Sequence, residues 1–530
     1  MNAHVNSRVY GGSQATQADL DAFSNVAQLL SNQSTAAQKI AASWFSLGIQ
    51  LQQGRQRAPF CPKVNAANAL TANDCVATPN APVIRHVSLN YASVQQHIDA
   101  RQQEFTELAT RLEHMADHLI RAYSLYSQAE HTAARLFGEG LQAATVYRPD
   151  ITLKGFALLT LAGTIYGSIQ ERRFNPSYAL TSTWWMHEGV LAGIATHLNA
   201  WWSGSGTALG DKSGSDRAEA SGSSQRASGS MSSPRLFLMA QGLLTRNEVN
   251  QACEPIGLGA ALWKAINAGD VVTVKEINPS KGIQGTSTIA DSLRNVHDMR
   301  LNKVDYGSIA IQQYRREDGQ TAWMVTIPGT DGHVDSPFNW PTNTELMSSN
   351  SQQRQYADSA RMVDEAMRQA GIGKNDPVAI VGHSQGGIVA ATIASDFKDR
   401  YNVEHIVTAG SPVANHPVGD TWVTSIEMND ELVSSLDGSH NPMTDTWLTV
   451  RGYSAPIGSR DGTAVDNTDD HKFITHDMNY MKAAWKDAEQ LGNPGIASHE
   501  AHFQRTIDGT LVSTRYYRGR LSHLPTEGGE

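Results

Sequence analysis

Cysteine is nearly absent from this chain, with three residues in 530 and no paired Cys/His spacing of the kind that holds zinc. The one disulfide that spacing invites joins Cys61 to Cys75 across FCPKVNAANALTANDC, because Cys253 lies far away. It would close a loop of about fifteen residues and contribute on the order of 3 kcal/mol in an oxidising compartment. Basic runs are also lacking, and a net charge of −10 is mild for this length. That argues against nucleic acid or an anionic lipid recruited by charge. Uninterrupted apolar runs are short. The uncharged core of the first, Gly155 to Gln170, falls below the roughly 20 residues needed to cross a bilayer, and His187 with Glu188 splits the second. Both stretches are expected to complete a helical core, although Trp184, Trp185, Trp201 and Trp202 could also bring a hairpin to a membrane surface. The opening MNAHVNSRVYGGSQ has no apolar signal-peptide core. The protein therefore either stays inside the cell or leaves by a route that reads a folded helical signal.

What is present is concentrated in VAIVGHSQGG, Val378 to Gly387. A four-residue apolar run fits a buried parallel strand, and it leads through Gly382-His383-Ser384-Gln385-Gly386 into the helix-compatible IVAATIASDF. This is the pattern of a nucleophile elbow. A serine hydroxyl is a poor nucleophile near neutral pH, so it must be held on a tight strand-to-helix turn within reach of a base. Side chains two positions either side of the serine would collide with the neighbouring strand and helix, which explains Gly382 and Gly386. The bare pattern GxSxG is common in a chain rich in Gly and Ser. The strand before it, the helix after it and the extra Gly387 make it specific.

From these residues outward, about 235 to 530, the chain resembles the serine esterases and lipases of the α/β-hydrolase superfamily. The resemblance implies two backbone N–H groups aimed at a developing oxyanion, one after the nucleophile and one after an earlier strand. Gln385 and Thr330 fit, Thr330 closing the strand TAWMVTI and its Pro328-Gly329 turn. That strand is expected to pair with GSIAIQQY through the turn-rich REDGQ. The next stretch, DGHVDSPFNWPTNTELM, resembles an active-site covering loop of a group of actinobacterial hydrolases, with Trp340 and Asn343 at matching positions; packing is the expected role of Trp340. Ala357, Met362, Ala366, Met367 and Ala370 recur at helical spacing, and EHIVTAGSPV and WVTSIEM supply later strands. The expected fold class is an α/β hydrolase with a doubly wound, mostly parallel sheet, preceded by an all-α helical hairpin domain.

The superfamily order, nucleophile then acid then histidine, places the acid at the end of a later strand. Asp430 directly follows WVTSIEM, whereas its competitors Asp437, Asp445, Asp469 and Asp470 do not. Eight histidines follow Ser384. His476 precedes an amphipathic stretch, as the loop histidine of these hydrolases does, and His471, His499 and His502 are its rivals. The expected chemistry is cleavage of a carboxylic ester by Ser384, His476 and Asp430, with no metal or organic cofactor. Two other readings share the residues: a helical interaction or secretion module carrying a hydrolase-fold scaffold of weak or no activity, and an acyltransferase using the same nucleophile.

Upstream, apolar residues follow a heptad from Val94 to Glu130. Ile98, Phe105, Leu112, Leu119 and Tyr126 fill one position, and Val94, Leu108, Met115, Ala122 and Ala129 the other, broken only by Arg101. Residues 17 to 53, with Leu20, Phe23, Val26, Leu29, Leu30, Trp44, Leu47 and Leu51, supply a partner helix, and an antiparallel hairpin follows. This region resembles substrates of actinobacterial type VII secretion, whose hairpins end in Tyr-x-x-x-Asp/Glu; Tyr126 to Glu130 matches, while the family's Trp-x-Gly turn is missing. The resemblance implies export without a signal peptide, to the cell surface or beyond, and a secretion-machinery or helical partner beside the ester or lipid substrate. The expected domains are a hairpin at 1–145, an apolar helical segment completing it at 146–202, a Gly/Ser-rich linker at 203–234 and the hydrolase domain at 235–530.

Overall fold

The computed structural model describes residues 3–12, 17–57, 91–123, 137–138, 140–146, 148–171, 174, 177–202, 247–455, 459–468 and 475–523. Two compact units emerge, Ala15–Leu125 on its own, and Met1–Gln14 together with Tyr126–Glu530. Cys61, Cys75, Tyr126, Glu130 and the 203–234 tract lie outside the described residues.

The smaller unit is a pair of long helices, Gln17–Arg57 and Tyr91–Tyr123. They run antiparallel. Phe23 stacks on Tyr123 with centroids 4.2 Å apart, Ser34 Oγ donates to the Ala109 carbonyl at 2.9 Å, and Gly48 faces Gln95 and Ile98. The seam differs from the one the heptad suggests. Ile98, Ala109, Ala116 and Ala122 are buried, with Ala27, Ser34, Ala37 and Ala41 opposite, while Val94, Leu108 and Met115 are exposed, as are Val26, Leu29 and Leu47. Small residues let the two backbones approach until a serine hydroxyl reaches the facing carbonyl. A larger side chain would hold them apart, so the seam takes Ala109 and Ala116 where the apolar pattern selects Leu108 and Met115, while Ile98 and Ala122 of the heptad do lie in it.

The larger unit is built on a ten-stranded sheet among the described residues, ordered β2-β10-β3-β4-β5-β6-β7-β8-β1-β9. The strands are β1 (His4–Gly11), β2 (Val271–Ile277), β3 (Ser308–Arg315), β4 (Thr321–Ile327), β5 (Pro377–His383), β6 (Asn402–Ala409), β7 (Trp422–Met428), β8 (Trp447–Ser454), β9 (Thr463–Ala464) and β10 (Thr510–Ser522). β4 to β8 run parallel, and antiparallel pairs flank them. β3 and β4 form the expected hairpin, closed by Arg316 N–H to the Gln320 carbonyl at 2.9 Å. Parallel strands must be buried on both faces, and alternation along the sheet serves both. Ile309, Ile311, Val378 and Ile380 share a core with helices Asp358–Ala370 and Gln385–Asp396, while Ala310 and Tyr516 pack with Met299 of helix Ile289–Leu301.

Two boundaries differ from expectation. β1, placed by sequence in the hairpin domain, pairs with β8 over seven residues. The 146–202 segment belongs with the larger unit instead of completing the hairpin. Its helix His187–Trp202 meets the loop after β7 where Glu188 lies 3.0 Å from His440 Nε2, and Asn199 donates to the Glu248 backbone and side chain. Helix Pro149–Glu171 leaves Leu158, Leu161, Ile165 and Ile169 exposed. No described helix is long and apolar enough to cross a membrane.

Candidate active site

Ser384 occupies the junction between β5 and helix Gln385–Asp396 with φ 54° and ψ −121°, a backbone region that costs a non-glycine residue about 1–3 kcal/mol. The glycines around it make the turn feasible. A Cβ on Gly382 would lie 2.2 Å from the Gly386 backbone, one on Gly386 would meet the Ile327 and Pro328 carbonyls at 2.5 Å, and one on Gly387 would strike Ser411 Oγ. Ser384 N–H donates to the Ala409 carbonyl at 2.8 Å, tying the elbow to the end of β6.

The residue after Ala409, Gly410, adopts φ 58°, and a Cβ there would fall 2.8 Å from His476 Nδ1. Its missing side chain is the space in which the imidazole sits, so His476 stands at the same end of the sheet as Ser384. No hydrogen bond joins the two among the described residues. His476 precedes helix Met478–Glu489, whose N-cap, Asp477, accepts from Asn479 N–H at 2.9 Å. The backbone carbonyl of His476 accepts from His383 Nε2 at 2.9 Å, which fixes the His383 proton on that nitrogen. Burial, with His476 beside it, pushes the His383 imidazole down to about 3, so it remains a neutral support.

The acid partner is not the one expected from position. His476 Nδ1 bonds Glu431, while Asp430 Oδ1 accepts from Thr475 Oγ1 at 2.8 Å. A turn closed by Glu431 N–H to the Met428 carbonyl (3.2 Å) reverses the chain immediately after β7, and the second acidic residue of NDELV reaches the ring. Glu431 is buried, and its Oε1 has no hydrogen bond among the described residues. Its compensation therefore comes through the imidazole. With Nδ1 donating to a carboxylate, the neutral ring presents Nε2 as an acceptor, the form a general base requires.

Gln385, at the helix N-terminus, has a backbone N–H without an intrahelical partner, and its side chain donates to the Asn339 carbonyl at 3.0 Å. The loop after β4 passes against the nucleophile, since a Cβ on Gly329 would lie 3.1 Å from Ser384 Cβ. Thr330 follows, its Oγ1 accepting from Asn343 Nδ2 at 3.3 Å. Trp340, expected to pack, is 71% exposed.

The rivals fall elsewhere. His499 and His502 cluster with His405, Thr424 and Trp422, and burial lowers both imidazoles to about 4. The Asp437 carboxylate accepts from the backbone N–H groups of Ala414 and Ser439. The Asp445 carbonyl lies 3.2 Å from His499 Nε2. Asp469, Asp470 and His471 lie outside the described residues. Sequence reasoning missed Glu431 and His383. Both adjoin a chosen residue, and only the turn after β7 and the register of β5 distinguish them.

Residues 338–487 match the model of a family described as a PGAP1-like alpha/beta domain. The matched stretch contains Ser384, Glu431 and His476 and begins after Thr330. It supports a hydrolase-type α/β fold of the α/β-hydrolase superfamily for this part of the chain. No curated protein and no solved structure matches the chain.

Proposed function

We propose that the chain is a serine hydrolase that cleaves carboxylic esters through an acyl-enzyme. The observation that carries this reading is a serine held at φ 54° on a strand-to-helix turn, at the sheet end where a histidine is bonded to a buried glutamate. In this scheme Ser384 Oγ attacks the ester carbonyl carbon as its proton passes to His476 Nε2. Glu431 holds the ring in the required tautomer and stabilises the imidazolium, and the N–H groups of Gln385 and Thr330 receive the oxyanion. His476 then returns the proton to the departing alkoxide, and water, activated by the same nitrogen, releases the acid. The strain at Ser384 favours the assignment, since a structural serine would gain nothing from that backbone conformation.

The test is fluorophosphonate labelling of the protein and of Ser384→Ala, with peptide mapping and a panel of esters of increasing acyl length. Labelling at Ser384 that disappears in the variant is expected, together with loss of turnover in a folded protein. Unlabelled but folded protein would return the chain to the scaffold reading. Product analysis with a competing alcohol separates hydrolysis from acyl transfer.

A further inference from the structure

Lys264 is 3% exposed, and all three of its donors are used. They go to Glu345, to Asp358 Oδ2 at 2.6 Å and to Thr342 Oγ1 at 3.3 Å. Two of these acceptors belong to the short helix Thr342–Leu346, and the third opens helix Asp358–Ala370. Lys264 itself comes from helix Glu248–Asn267, outside the sheet. The buried ammonium ties the five-residue helix to helices Glu248–Asn267 and Asp358–Ala370, and a shift of the helix that broke these bonds would leave the charge uncompensated.

The same helix is linked to the side chains of both residues whose N–H groups are assigned to the oxyanion. Thr342 donates through N–H and Oγ1 to Asn339 Oδ1 at 3.1 and 2.8 Å. The Asn339 carbonyl accepts from Gln385 Nε2, while Gln385 Oε1 is buried with no partner among the described residues, so this one bond holds the Gln385 side chain. Asn343 Nδ2 meets Thr330 Oγ1. Two branches thus leave one helix, one ending at the residue after the nucleophile and the other at the loop after β4.

We propose that Lys264 is a positioning residue for the oxyanion hole, acting through Thr342 and Asn339 on Gln385 and, by seating the same helix, through Asn343 on Thr330. The inference rests on the hydrolase reading above. It assigns a function to a buried charge cluster that otherwise lies away from the reacting groups. A strut of this kind is felt when the carbonyl carbon becomes tetrahedral and its oxygen charged, and little in ground-state binding.

The experiment compares the full-length protein with Thr342→Val, which keeps the shape of the side chain and removes the hydroxyl between Lys264 and Asn339. Lys264→Met is the second variant, studied where circular dichroism shows it folded. The readouts are kcat and KM on an activated ester, and inhibition by an alkyl boronic acid, which forms a tetrahedral adduct on the serine. A fall in kcat of about tenfold, KM within twofold and boronate affinity weakened in proportion is expected. Active wild type with unchanged kcat and boronate affinity in folded Thr342→Val would overturn the positioning role alone, as would a change confined to KM. Wild type that neither turns over esters nor binds the boronate would overturn the hydrolase reading, and the inference with it.

Discussion

Glu431 and Asp430 are consecutive carboxylates with different partners, so exchanging each for its amide separates the proposed triad acid from its neighbour. In Glu431→Gln the side chain keeps its length, and its amide can turn either the oxygen or the NH₂ toward His476 Nδ1. The NH₂ orientation demands an unprotonated Nδ1, which puts the ring proton on Nε2 and removes the acceptor that Ser384 needs. The oxygen orientation restores the tautomer but leaves the imidazolium without a counter-charge in a buried setting. Both consequences reduce kcat, and an acid-to-amide change at this position of a Ser-His-acid triad costs about 10⁴-fold, or about 5 kcal/mol at 1.36 kcal/mol per decade. Asp430→Asn weakens the hydrogen bond from Thr475 Oγ1 but leaves the His476–Glu431 contact in place, and should cost less than about tenfold. The assay is kcat on an activated ester for both variants, with thermal midpoints to confirm folding. If Asp430→Asn lost as much activity as Glu431→Gln, the assignment of the acid would be refuted.

Ser384→Gly should remove activity and raise stability by about 1 kcal/mol or more, because glycine adopts φ 54°, ψ −121° without the cost that serine bears; a thermal midpoint no higher than wild type would argue against stored strain. Acid should destabilise the fold before most carboxylates protonate. Burial lowers His416 to about 3 and His499 to about 4, and holds His405 well below its ordinary value. As pH falls the unfolded chain takes up these protons first, so the stabilisation is complete above about pH 6.5 and is lost toward the folded pKa values. By pH 5 His416 and His499 each cost on the order of 2 kcal/mol, His405 acts in the same direction, and a thermal midpoint that stays level from pH 7 to 5 would exclude this linkage.

The strand-to-helix turn that carries Ser384, the proposed nucleophile, was legible because its geometry forces local sequence. A positive φ at Ser384 needs glycines where side chains would strike backbone, and the strand and helix around it have unambiguous patterns. His476 was legible through its place before a capped helix. The carboxylate that bonds His476 was legible only to within one residue, since the turn after β7 decides which of two adjacent carboxylates reaches the ring. In the hairpin, Ala109 and Ala116 carry little apolar signal of their own, yet they bury where Leu108 and Met115 do not. Hydropathy ranks side chains by size, and a close-packed seam selects against size. The Lys264 cluster gave no sequence signal at all, because its members are scattered from 264 to 358 and meet only after the chain has folded.

β1 was misread for a related reason, and its position bears on how the site is held. HVNSRVYG alternates as a strand, but its partner β8 lies more than four hundred residues away, beyond the hairpin and the 203–234 tract. Val5 and Val9 are buried, Ser7 N–H donates to Asp487 Oδ2 at 2.6 Å, and Ser7 Oγ donates to the Ala484 carbonyl at 2.7 Å. Asp487 and Ala484 belong to helix Met478–Glu489, the helix that His476 precedes. The first strand of the chain therefore anchors the element that carries the proposed base. A piece cut at the sequence-derived boundary, 235–530, would expose the edge of β8 and leave the buried Asp487 without its backbone donor. Such a piece should aggregate or lose ester turnover together with thermal stability, whereas the full chain keeps both. If the 235–530 piece matched the full chain in kcat and thermal midpoint, β1 would be dispensable and the argument would fail.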